Sequence, residues 1–203
     1  MNHESAIRLG RRLEILTVSW NSLEAALAVL AGIMAGSIAL MSFGLDSVIE
    51  VFSGFVLLWR LGANLSTKES EQAERKALRL VGISFIALAV YVAADSIHSL
   101  VVRKTTESSI LGIAVTGTAI IVMPLLARAK RSAARIINSE ALYADSKQTS
   151  LCAYLSAITL AGLLLNALFG WWWADPVAAL AMVPIIAKEA RESLQEKRCC
   201  RSC

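Results

Sequence analysis

Ser37-Ile-Ala-Leu-Met-Ser-Phe-Gly-Leu-Asp46-Ser-Val-Ile-Glu50 has an echo in Ser139-Glu-Ala-Leu-Tyr-Ala-Asp-Ser-Lys-Gln148-Thr-Ser-Leu-Cys152. Each stretch opens on Ser-x-Ala-Leu. Nine residues after the serine stands a polar side chain of metal-ligand type, and four residues later a second one. Residues at i and i+4 share one face of a helix, so each copy offers two such groups on one side. Both copies lie in apolar surroundings. Two pairs of potential ligands at helical spacing predict a buried ion site built from a repeat.

The apolar surroundings extend over the whole chain. Of its 203 residues 56% are hydrophobic and 18% charged, against about 25% charged in an ordinary soluble domain. A spanning helix needs about 20 mostly apolar residues. Six runs approach or exceed that length, at 14–36, 38–62, 78–101, 108–127, 141–166 and 170–188. They are rich in Ala and Leu and lack period-two alternation, which favours helix over strand. The expected fold is an all-α membrane protein with six transmembrane helices. Its layout is an N-terminal segment 1–13, one transmembrane domain 14–190 and a short cysteine-bearing tail 191–203. No signal-peptide cleavage pattern follows the first run, so that run is expected to stay in the mature protein.

Charge sets the expected orientation. Seventeen of the twenty Lys and Arg fall in the N-terminus and in the segments after spans two, four and six; Arg103 and Lys104 face the other side, and Lys147 lies inside span five. The positive-inside rule then places both termini in the cytoplasm of a cell or inner membrane. The net charge of +4 follows from this topology, and no nucleic-acid partner is needed to account for it. Trp171, Trp172 and Trp173 fall at the outer interface, where indole rings prefer to sit.

Depth follows from helix rise. At about 1.5 Å per residue, Asp46 lies roughly 12 Å and Glu50 roughly 18 Å below the outer surface, with Gln148 roughly 10 Å and Cys152 roughly 16 Å from the inner one. All four belong to the middle of a core about 30 Å thick. Two carboxylates one turn apart in hydrocarbon repel unless a proton or a cation neutralises them. A site that alternates between the two is the physical basis of metal/proton antiport. Set against this, buried acids and Gln also serve as interhelical hydrogen-bonding groups, and a free Cys packs as a small hydrophobe.

Other polar groups lie along the spans. Asn21 and Glu24 share one face of span one, and Glu24 is a candidate for proton coupling or for a cavity wall. Asp95 and His98, three apart near the outer end of span three, offer either an exit-side site or an interfacial acid–His pair. Asp145 belongs to the repeat. Lys147 either snorkels to the inner surface or pairs with Asp46 or Glu50 in place of a cation. Asp175, beside Pro176, is placed to cap a helix. In the tail, Cys199, Cys200 and Cys203 could capture a soft metal, be acylated or be inert.

The chain resembles the cation diffusion facilitators, six-span exporters of divalent metals, over essentially all of 14–190. The resemblance is carried by the two Ser-x-Ala-Leu stretches, by the span-five framework Ser139, Ala141, Leu142, Ala144 and Asp145, and by Trp173-Ala-Asp175-Pro176 before span six. It implies an inverted 3+3 repeat and a homodimer. It also implies a Zn²⁺ site between spans two and five, whose ligand positions here are Asp46, Glu50, Gln148 and Cys152. In the family pattern Phe43 stands at an acidic position, Glu50 and Cys152 stand for Asp, and Gln148 stands for His. Asp-Ser-x-x-Glu with a span-five Cys is also similar to a smaller zinc-efflux branch of vesicle membrane proteins. Most family members carry a soluble domain after span six, which this sequence is expected to lack.

The expected function is therefore efflux of a divalent cation, Zn²⁺ first, coupled to protons, with the metal as cargo and no cofactor. The alternative is a transport-dead, metal-binding or regulatory relative in which Lys147 fills the cation position. An intramembrane enzyme with Cys152 as nucleophile is disfavoured, since no His is placed to activate it.

Overall fold

The computed structural model describes residues 3–62, 67–137 and 140–195, and among them every regular element is an α-helix. In chain order these are α1 His3–Ala35, α2 Ile38–Gly62, α3 Thr67–Val102, α4 Ile110–Ile137, α5 Glu140–Phe169 and α6 Ala174–Gln195. Ser139 and the tail thiols Cys199, Cys200 and Cys203 lie outside the described residues.

The helices outrun the apolar spans. α1, α3 and α4 continue for two turns or more past the boundaries expected at 14, 78 and 127, because Ala, Leu, Arg, Lys and Glu are good helix formers. Five helices hold a stretch long and apolar enough to cross a bilayer: Arg8–Ala35, Ile38–Trp59, Arg79–Val102, Ile110–Ile136 and Asp145–Phe169. α6 is not among them, since Lys188, Glu189, Arg191 and Glu192 crowd its last turns. It nonetheless runs the width of the bundle. Its first turn meets the start of α2 through Asp175, and its last turns reach α3 at Gly82, where a Cβ would lie 2.7 Å from Leu194 Cγ and 3.3 Å from the Ala190 carbonyl oxygen.

The packing has a twofold pattern. α1 packs on α2 and α2 on α3, as α4 packs on α5 and α5 on α6; α1–α4, α2–α5 and α3–α6 each pair a helix with its counterpart. Three is an odd number of crossings, so the second half runs inverted to the first. α2 and α5, the two carriers of the repeat, face each other at the centre.

Burial is one-sided on each helix. On α1, Gly10, Glu14, Thr17, Asn21, Glu24 and Ala28 form a buried stripe, while Ile15, Leu16, Leu23, Leu30 and Ile33 are exposed. An outer surface of bare Leu and Ile matches a lipid solvent, and the stripe inside is where the polar groups are. The α1–α2 seam is close because it is lined with glycine: a Cβ on Gly44 would lie 2.9 Å from the Val29 backbone nitrogen, and one on Gly32 equally close to that of Met41. Small residues let helix backbones approach in this way.

Hydrogen bonds cross the bundle at the end where α1 stops. Ser37 is the N-cap of α2, its Oγ accepting from the Leu40 amide at 3.0 Å, which gives the repeat's opening serine a structural role. Asp175 completes this cap from α6: its carboxylate accepts from Ser37 Oγ and, at 2.8 Å, from the Ile38 amide. The capping role expected of Asp175 thus falls on α2. The segment after α3 is tied to α1 by Glu107 N–H donating to Ala35 O at 2.9 Å. It is tied to α5 by Asn166 Nδ2 donating to Thr106 O at 2.7 Å. Trp171, Trp172 and Trp173 form the turn before α6, with Trp171 and Trp173 stacked at 5.0 Å.

Candidate ion site

The four expected ligand positions lie at one level of the bundle but do not converge. Asp46 and Gln148 line a cleft together with Phe85 of α3 and Ile185, Ile186 and Glu189 of α6. Glu50 and Cys152 turn the other way, into the contact of α2 and α5 with α1 and α4. Glu50 Oε1 accepts from Thr149 Oγ1 at 2.7 Å. Cys152, fully buried, points its Sγ at Glu24 Oε1, 3.5 Å away. Among the described residues, no three His, Cys, Asp or Glu side chains stand close enough to hold one metal ion. The pairs are nonetheless neighbours: Glu50 and Glu24 both act electrostatically on Asp46 and on Cys152.

Glu24 belongs to this centre. It is 1% exposed, and its carboxylate accepts from Trp20 Nε1 and Ser47 Oγ, both at 2.8 Å. Ser47 follows Asp46 in the repeat, so α1 is joined to the α2 motif at the depth of the expected site. Asn21, one turn away, is fully buried, and neither of its amide atoms has a hydrogen-bond partner among the described residues.

Toward the other end of the bundle lies a buried ion cluster. Lys130 of α4 is 0% exposed. Its Nζ stands 2.9 Å from Glu14 Oε2 of α1 and 2.5 Å from Asp145 Oδ2 of α5. Thr149 Oγ1, 3.4 Å from the same ammonium, is the hydroxyl that donates to Glu50. Glu14, Lys130, Asp145, Thr149 and Glu50 therefore form one chain of polar contacts across α1, α4, α5 and α2. Asp145, expected as a secondary site residue, is one of the two acids paired with this cation.

This arrangement corrects two expectations, for Lys130 and for Asp95 with His98, and speaks against one of the two readings of Lys147. Lys130, counted above with the charges that follow span four, lies inside the protein. The reason is that α4 stays helical past the apolar run, and Met123, Ala127, Lys130 and Ala134 recur on its buried face. Lys147 does not fill the cation position: its side chain is exposed, with Nζ 5.2 Å from the centre of the Tyr143 ring. Asp95 and His98 do not pair. Among the described residues, the hydrogen bond found for Asp95 is with Tyr91 Oη, at 3.5 Å, and His98 is exposed.

Sequence reasoning passed over Glu14, Lys130, Thr149 and Glu189. For the first two the signal was present, since extending the buried stripes of α1 and α4 by one turn reaches both. Thr149 sits beside Gln148 and was masked by it. Glu189 stands among Lys188, Arg191 and Glu192 near the end of α6, where nothing in the sequence sets it apart.

A bundle of apolar-faced helices in two inverted halves, with acids buried between α2 and α5, defines a polytopic membrane protein of the solute-transporter type. The cation efflux transmembrane domain matches residues 15–198, and the chain belongs to that family. It is 26% identical over 181 residues to an uncharacterized transporter of Synechocystis sp., covering 86% of this chain and 58% of that protein. It is 29% identical over 139 residues to transmembrane protein 163 of Xenopus laevis, covering 66% and 49%. Over 84 residues, 41% of this chain and 28% of the other, it is 32% identical to the cation-efflux pump FieF of Shewanella oneidensis. The chain thus spans less than two thirds of each of these relatives.

Proposed function

We propose that this chain moves a divalent metal cation, Zn²⁺ first, out of the cytoplasm in exchange for protons, through a site between α2 and α5 at mid-membrane. The observation that carries the reading is Asp46. Asp46 is 6% exposed and lines a cleft inside a cation efflux domain. A carboxylate so placed is costly in hydrocarbon until a proton or a cation neutralises it. Glu50, Cys152 and Glu24 are more fully buried than Asp46 and provide further acidic and thiol groups. Carboxylate with thiolate suits Zn²⁺ or another borderline metal, while Gln148 offers a neutral carbonyl oxygen. For the four expected ligands to reach one ion, Glu50 and Cys152 must turn toward Asp46. Such a change fits rocking of one half against the other.

On this reading the protein is a carrier and no enzyme; it has both ends in the cytoplasm of a cell or inner membrane, works as a homodimer, and handles metal and protons as its ligands. The tail thiols Cys199, Cys200 and Cys203 are candidates for metal capture. Lys147, turned outward, does not favour the transport-dead alternative in which it fills the cation position. The test is Zn²⁺ uptake into liposomes holding a pH gradient, with the native chain and Asp46→Asn. Metal-driven proton movement in the native protein and its loss in the variant are expected. Flux equal to empty liposomes for Zn²⁺, Cd²⁺, Mn²⁺ and Fe²⁺ refutes the reading.

A further inference from the structure

Thr149 has more acceptors around it than one hydroxyl proton can serve. It is fully buried. Lys130 Nζ, 3.4 Å from its Oγ1, can only donate to it. Glu50 Oε1, at 2.7 Å, and the Asp145 carbonyl oxygen, at 3.2 Å, are both placed to accept. A hydroxyl has one proton to give, so Thr149 serves Glu50 or its own helix, and the bond to Glu50 is the shorter. Lys130 is fully occupied behind it. An ammonium has three protons, and Glu14 Oε2, Asp145 Oδ2 and Thr149 Oγ1 take them. Glu50 is half-satisfied by comparison: Thr149 holds its Oε1, while its Oε2 is buried with no hydrogen-bond partner among the described residues.

The place of this contact gives it a consequence for ion binding. Glu50 stands one turn from Asp46 on α2, nearer the end that carries both chain termini. To turn toward Asp46 it has to leave Thr149. Its departure orphans no donor. Rotation about the Cβ–Oγ1 bond hands the hydroxyl proton to the Asp145 carbonyl four residues back, as threonine in a helix commonly arranges. Lys130 keeps the Thr149 oxygen as its acceptor throughout. Lys130 also acts electrostatically on Glu50, so a metal ion that recruits Glu50 takes it from a cation already in the protein.

We propose that Thr149 is a positioning residue: with Lys130 behind it, it latches Glu50 away from Asp46 in the ion-free protein, and the divalent cation binds by taking Glu50 out of the latch. The proposal rests on the transporter reading above and adds a competitor to it. The ion and Lys130 share one carboxylate, so the latch lowers affinity for the ion. By drawing Glu50 back it also hastens the ion's release. Loss of the Thr149 hydroxyl therefore tightens binding and slows turnover together.

The test titrates the purified full chain and Thr149→Val in detergent with Zn²⁺ alone, by calorimetry, and measures Zn²⁺ uptake by both in liposomes. Thr149→Val is expected to bind Zn²⁺ about tenfold more tightly, the size of one hydrogen bond to a charged group. Its half-saturating concentration and its maximal rate are both expected to fall. Thr149→Ser, which keeps the hydroxyl, is expected to restore native affinity and rate. Thr159→Val is expected to change neither, since Thr159 is as fully buried but bonds the Leu155 carbonyl of its own helix at 2.9 Å. A purely structural role for Thr149 would instead loosen the site and raise the half-saturating concentration. If Thr149→Val does not fold, Thr149→Ala is read in the same way. Binding by the variant that equals or falls below the native value overturns the proposal, as does a native chain and a variant that both bind no Zn²⁺. Tighter binding in the variant without flux in either protein keeps the latch and refutes transport. Native flux with a half-saturation unmoved in Thr149→Val keeps transport and refutes the latch.

Discussion

Lys130 has both carboxylate partners within 3 Å and no exposure of its own. Removing one side of such a buried group leaves uncompensated charge behind, at a cost of about 3–5 kcal/mol. Lys130→Met is therefore expected to lower the thermal unfolding midpoint in detergent sharply, because Glu14 and Asp145 stay buried with no counter-charge. Adding Glu14→Gln and Asp145→Asn to Lys130→Met is expected to restore part of the loss, since neutral side chains remove the uncompensated charge. Lys147→Met is expected to stay within about 0.5 kcal/mol of the native protein, as an exposed substitution does. A reversed order, with Lys147 the sensitive position, contradicts the placement of the buried cation. Glu50 provides a second reading of the same cluster. Thr149 stands between its carboxylate and Lys130, so Thr149→Val is expected to impair metal flux more than stability, and Thr149→Ser to restore it.

Elements meet through glycine on one seam and through a borrowed cap at one end. A Cβ at Gly44 would fall 2.9 Å from a backbone nitrogen of α1 and 3.2 Å from Ala28 Cβ, neither of which can swing aside. Gly44→Ala is expected to cost about 1–3 kcal/mol, as overpacking does, while Gly117→Ala, with nothing within 4 Å, is expected to be neutral or slightly stabilising. Thermal unfolding of the two variants side by side checks this. Asp175→Ala deprives both Ser37 and the Ile38 amide of their acceptor, and a loss of about 1–2 kcal/mol is expected for an N-cap of this kind. The helices themselves, and the facing of α2 and α5, were legible in apolar run length and in the repeat. The inward turn of Lys130 was not, because run length marks where hydrophobicity stops, whereas a helix of Ala, Arg and Ser continues and carries its buried face with it. Rotation about the helix axis was also illegible: i, i+4 spacing put Asp46 with Glu50 and Gln148 with Cys152. Packing against α1, α4 and α6 divides both pairs, so that Asp46 and Gln148 share the cleft while Glu50 and Cys152 face inward.

The whole molecule has one tied end and one charged end, and α6 decides whether the two chain termini share a side. By hydropathy alone five helices qualify as spans, and five crossings put the termini on opposite sides of the membrane. The contacts of α6 favour six. Asp175 is held at the start of α2, and Leu194 packs on Gly82 near the start of the apolar part of α3. Those two points bracket the length over which α3 crosses. Twenty-two residues extend about 33 Å, enough for a core about 30 Å thick, with Lys188, Arg191 and the last acids at its edge, where long side chains reach water. Reporter tags at the N- and C-termini are therefore expected on the same membrane face, both protected or both cleaved by protease in sealed vesicles. With the excess of Lys and Arg at that end, the face is expected to be the cytoplasmic one. Opposite protection of the two tags would take α6 out of the membrane.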